Sequence, residues 1–129
     1  MLNDKQKAEF IKDAPATEPP LQNNVKDLTP EMQSALQQLG GLHAFKVVEC
    51  VRSLSRQKWL VKNGKSWTDK SNHLRKEASD LFALPLGYKT PASVWLKMHD
   101  DWDKIVKIMG RIPEPRIGKD LGHFGIMPE

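Results

Sequence analysis

Leu42-His43-Ala44-Phe45-Lys46-Val47-Val48-Glu49-Cys50-Val51-Arg52-Ser53-Leu54 is the stretch on which the fold turns. Leu42, Phe45, Val48, Val51 and Leu54 step by three and Val47 widens the stripe, a spacing that predicts a helix from about Leu42. Farther along, Arg52, Arg56, Lys58 and Lys62 suit the negative end of a helix dipole, and Asn63-Gly64 stops it. Trp59 to Trp67 also fits a β-hairpin with an Asn63-Gly64 turn. That register sets Lys62 against Lys65, and like charges facing each other are unfavourable, so the helix is preferred.

On the N-terminal side, Thr29-Pro30-Glu31 offers an N-cap, a proline at the first helical position and an acid in the first turn. Met32, Leu36 and Leu39 then recur at helical spacing until Gly40-Gly41. On the C-terminal side, Ser66 or Thr68 is placed to cap a helix near 69–84, with Leu74, Ala78, Leu81 and Phe82 as its apolar face. Thr90-Pro91 repeats the earlier opening. Trp95, Met98, Trp102, Ile105 and Met109 follow as the clearest amphipathic pattern in the chain, ended by Gly110. The expected fold is all-α: a compact bundle or array of about four helices.

The ends read differently. Asn3 and Gln6 form a capping-box pair for a short helix over 3–12, and Pro15, Pro19 and Pro20 then mark an extended linker. Residues 1–28 are thus expected to be an arm, 29–110 the helical domain, and 111–129 an extended Pro/Gly-containing tail.

Composition bounds the possibilities. The chain has 129 residues, 39% of them hydrophobic, within the usual range for one domain. A lone Cys50 excludes an internal disulfide and a cysteine-based metal site. The start Met1-Leu2-Asn3-Asp4-Lys5 lacks a signal-peptide pattern and no stretch is apolar enough to span a bilayer, so a cytoplasmic protein without membrane contact is expected. The net charge is +4, with the excess around the middle of the chain.

No catalytic constellation stands out. Gly64-Lys65-Ser66 resembles the end of a P-loop, but Trp59 occupies the required upstream glycine position. Ala83 and Gly87 have helix-turn-helix spacing, yet Ser93 replaces the apolar residue due after them. His99 and Asp103 share a helix face without a third ligand, and the run reads as a solvated face paired with Lys104 and Lys107. His43, His73 and His123 are scattered, and Cys50 reads as a buried, inert thiol. No metal and no cofactor are expected, and the protein is read as a non-enzyme.

The leading expectation is a small accessory protein that contacts DNA or RNA. Arg52, Arg56, Lys58, Lys62 and Lys65 would meet phosphates, and Trp59 or Trp67 would pack on a base. The alternative is a protein-interaction module, an adaptor, subunit or inhibitor. It would dock through Phe10 and Ile11 of the arm and through Leu121, Phe124, Ile126 and Met127 of the tail.

Overall fold

The computed structural model describes residues 2–116, 118 and 120–129. Four helices and three strands alternate along it: α1 (Asp4–Ile11), α2 (Pro30–Gly40), β1 (Phe45–Glu49), α3 (Leu54–Lys62), β2 (Ala78–Ala83), α4 (Ala92–Ile108) and β3 (His123–Gly125). The strands form one antiparallel sheet in the order β1-β2-β3. The fold is mixed α/β, which corrects the all-α expectation. Among the described residues no helix is long and apolar enough to cross a membrane.

The correction begins in the stretch quoted first. Phe45 pairs with Ala83 and Val47 with Leu81, and a bulge between Val47 and Glu49 shifts the register. The β-branched Val47 and Val48 favour the pleated conformation. The step of three that suggested a helix is in part made by the bulge, which breaks a strand's strict alternation. The helix proper starts only at Leu54, where the Ser53 side chain accepts a hydrogen bond from the Arg56 amide at 3.1 Å. It ends at Lys62, and Gly64 takes φ +70 beyond it.

The helix expected near 69–84 is absent for a related reason. Residues 78–83 form the middle strand, with Leu81 and Ala83 on the core side. What precedes them is a tight turn in which Lys76 adopts φ +63, a conformation a continuous helix excludes.

Caps were read correctly where local chemistry decides them. Asn3 and Gln6 form the capping box, and Thr29 accepts from the Met32 amide at 3.3 Å. At α4 the cap residue is Pro91 and no side chain caps the end. The core lies between the sheet and the α2/α4 layer. Met32, Leu36, Leu39, Met98, Trp102 and Phe124 are all buried there. Trp102 meets the Phe124 ring edge-on, and its indole N–H donates to the Gly125 carbonyl at 2.9 Å.

Candidate metal centre

The β2/β3 register builds the site. Asp80 stands directly across from His123, and Ser79 from Phe124. Alternation along a strand then sends Asp80 and His123 to one face of the sheet and Phe124 to the other, into the core. His73 reaches the same face from the turn before β2. That turn is closed by the Lys76 amide donating to the His73 carbonyl at 3.3 Å, and it is anchored to the strand linker by the Arg52 amide donating to the same oxygen at 3.1 Å.

The side chains converge. Asp80 Oδ1 lies 3.3 Å from His73 Nε2 and 3.1 Å from His123 Nδ1. One ligand-capable atom from each of the three residues falls within 4.8 Å of the others. The outward nitrogens are both engaged. His73 Nδ1 is 2.6 Å from the Cys50 carbonyl, an acceptor only, so this nitrogen carries the proton. His123 Nε2 meets the Glu114 carboxylate, whose second oxygen accepts from Asn72 Nδ2 at 2.7 Å. Each imidazole thus donates outward and aims its other nitrogen at Asp80; with a metal ion in place of the inward proton, that is the orientation that metal-binding histidines take from their supporting shell. Gly125 is needed behind Glu114, since a Cβ there would strike its carboxylate.

Charge in the cluster agrees with that geometry. Burial alone would lower the pKa of His123, but Asp80 and Glu114 outweigh it and push the imidazole up to about 10. Burial alone would raise Asp80, yet the hydrogen bonds and charges of His123 and His73 hold its carboxyl far below the usual range. The pocket is therefore built to stabilise a positive charge between these groups. Two imidazoles and a carboxylate suit zinc, and three protein ligands leave a coordination position open, as catalytic zinc sites do.

The cluster lies in a cleft. One hollow, of about 390 Å³, runs past Val48, Tyr88 and Trp95; a second, of about 530 Å³, runs past Arg52, Lys65 and Trp67. Asp80 and Asp120 belong to the walls of both. Surrounding protein raises the Asp120 pKa, and the Asp80 charge raises it further, which equips it to take up a proton. Arg52 is fixed on the cleft wall. It holds Glu49 through two hydrogen bonds, at 2.6 and 3.2 Å, and donates to Gln57 Oε1 at 2.8 Å. Burial alone would raise the pKa of Glu49, but its bonds to Arg52 and to Arg56 (at 2.6 Å) bring the carboxyl below its ordinary value.

The basic residues singled out from the sequence do not form one surface. Arg56 is 6% exposed and clamped between Glu49 and Glu18. Lys58 pairs with Asp13 and lies over Phe10, and so helps seat the α1 arm, with Ile11 half-buried, against the body. Trp59 is half-buried beneath Lys65, and Lys62 projects into solvent. Lys65 and Trp67 line the cleft instead. Of the apolar tail residues, Phe124 and Ile126 are wholly buried in the chain's own core, Leu121 packs against it, and Met127 lines the cleft. His99, read as part of a solvated face, is buried.

The sequence reading took His73 and His123 as scattered histidines and passed over Asp80, Asp120 and Glu114. Two spacings carried a signal: seven residues from His73 to Asp80, and three from Asp120 to His123. Placing 69–84 in a helix concealed the first. Seven helical residues rise roughly 10 Å, too far for one ion to touch both side chains.

No protein-family model matches the sequence, and no curated protein matches it. Among solved structures the fold is similar to that of the L-Ala D-Glu endopeptidase ChiX of Serratia marcescens. The TM-score is 0.69 at 23% sequence identity, over 98% of this chain and 96% of that one. At that identity the likeness is one of fold. Together with the ion-paired state of Arg52, Arg56 and Lys58, it overturns the expectation of a non-enzymatic nucleic-acid-binding protein. Of the tail residues expected to dock on a partner, Phe124 and Ile126 are committed to the chain's own core.

Proposed function

We propose that this chain is a zinc-dependent peptidase that hydrolyses an L-Ala–D-Glu type bond, the kind found in peptidoglycan. The observation that carries the reading is the convergence of His73, Asp80 and His123, each imidazole donating outward, in a cleft walled by Asp120. The same donor set also suits ferrous iron, but hydrolysis of a peptide bond calls for a Lewis acid without redox chemistry, which favours zinc. Bound there, zinc supplies a Lewis acid for water and for a peptide carbonyl.

The chain's own residues have distinct tasks. His73 Nε2, His123 Nδ1 and an Asp80 oxygen form the binding triad, and the Cys50 carbonyl and Glu114 hold the two rings. Asp120 acts as general base. Its carboxylate takes a proton from water as the water oxygen adds to the scissile carbonyl carbon, then delivers that proton to the departing amine nitrogen as the C–N bond breaks. Arg52, held on the wall, offers positive charge to the oxygen that becomes anionic.

Metal analysis of the purified chain and an assay on acetyl-L-Ala-D-Glu peptides test the reading. Zinc should co-purify, a chelator should abolish hydrolysis and zinc should restore it. His73→Ala and His123→Ala should lose both zinc and turnover. Hydrolysis that survives complete metal removal would refute it, as would retention of zinc by both variants.

A further inference from the structure

The two hollows that meet at Asp80 and Asp120 differ in charge. The first has no lysine or arginine among its wall residues; Val48, Leu81, Tyr88 and Trp95 make it largely apolar, and its charges are Asp80 and Asp120. The second carries Lys65 and Lys70 beside Trp67, which is 55% exposed. Both lysines are exposed. Among the described residues the lysines in ion pairs are Lys12, Lys58 and Lys97, so Lys65, whose ammonium lies over the Trp59 ring, and Lys70 face no carboxylate partner. The acids nearby are already answered: Glu49 by Arg52 and Arg56, and Glu114 by His123 and Asn72.

We infer that the Lys65–Trp67–Lys70 side of the cleft is a carboxylate subsite that fixes which way the substrate lies. This rests on the peptidase reading and deepens it. When an amide joins L-Ala to D-Glu, only one glutamate carboxyl can continue the chain, and the other stays free unless amidated. That charge lies on the amine side of the bond to be cut. A negatively charged amine-side residue is drawn to two unpaired ammonium groups and repelled from a hollow whose only charges are carboxylates. The L-Ala side, neutral and small, therefore occupies the Tyr88/Trp95 hollow. The stem of each lysine and the Trp67 face give the rest of the residue an apolar surface.

The test uses zinc-loaded Asp120→Asn protein, so that binding is read without turnover, and two probes whose chain-continuing γ-carboxyl is capped as a methylamide. They are acetyl-L-Ala-D-Glu γ-methylamide (the acid) and acetyl-L-Ala-D-isoglutamine γ-methylamide (the amide), so that they differ only in the one free carboxylate. Calorimetry should show the acid bound about five- to tenfold more tightly than the amide, as two exposed charge contacts allow, with the margin shrinking as salt rises. Adding Lys65→Gln and Lys70→Gln should weaken the acid to the level of the amide and leave the amide unchanged. Lys62→Gln, outside the cleft, should change neither. Equal affinity for acid and amide, an equal loss for both in the double variant, or no binding of either probe would overturn the inference. Turnover by the wild-type enzyme is scored separately. Charge-selective binding without hydrolysis by the wild type would sink the peptidase reading and leave the subsite standing.

Discussion

Each face of the three-stranded sheet buries imidazoles, and the two faces bury them to different ends. On the helical face, His99 of α4 lies flat on Phe124, with ring centroids 4.0 Å apart, and donates from Nε2 to the Leu121 carbonyl at 2.8 Å. Burial lowers its pKa and outweighs the bond to the Leu121 carbonyl and the charge of Asp103, and among the described residues no carboxylate hydrogen-bonds to it. One residue away from Phe124 on β3, His123 points to the cleft face, meets two carboxylates and is pushed the other way. Burial is common to both. What separates the packing histidine from the one in the proposed metal site is the acceptor at each nitrogen and the presence of a second imidazole within reach.

The largest expected effect sharpens that contrast on the cleft side. Asp120→Asn should cut kcat by about 10²–10⁴-fold, the usual worth of a general base. Zinc content should not change, because Asp120 is outside the binding triad. Stability should be equal or slightly higher, since the substitution removes a charge that Asp80 repels. A variant that keeps wild-type kcat would remove Asp120 from the chemistry. One that loses zinc would make it a ligand.

Glu114→Gln is the next step down. The His123 Nε2–H keeps an acceptor but loses a charged one, so the ring is held less firmly. Zinc affinity should fall about 10–100-fold in a competition titration with a chelating dye. At saturating zinc much of the turnover should return. A fall in kcat that zinc cannot restore would mean that Glu114 acts in the reaction and not only behind the ligand.

The same two faces explain what the sequence made legible. The helical face was readable because its signals are local. Thr29-Pro30 starts α2, and Trp95, Met98, Trp102 and Ile105 repeat on the period of α4, so a few adjacent residues fix each element. The sheet was not readable because its strands are defined by partners far along the chain: Val47 by Leu81, and Asp80 by His123. The bulge at Val48 and the turn through Lys76 also disturb the alternation that would have marked β1 and β2. The site inherited that opacity. Its residues share no single window, and of the two pairs close in sequence, Asp120 with His123 and His73 with Asp80, the second comes together only because the chain turns between them.

The smallest expected effect falls on the helical face and bears directly on the contrast. His99→Phe should preserve the stacking on Phe124 and delete the hydrogen bond to Leu121, costing about 1 kcal/mol at pH 7.5, the net worth of one such bond. Zinc affinity and kcat should stay at wild-type values. The cost should also depend on pH, with a fixed sign. The folded-state pKa of His99 is depressed, so as pH falls below the ordinary histidine value near ~6.5 the unfolded chain takes up a proton that the folded protein refuses, and the wild type loses stability. Phenylalanine cannot titrate, so the difference between the two proteins in urea melts should narrow from pH 7.5 toward pH 5, while every other titrating group contributes alike to both. A difference that widens with acid would mean that His99 is protonated in the folded state. A loss of zinc in this variant would erase the division between the two faces.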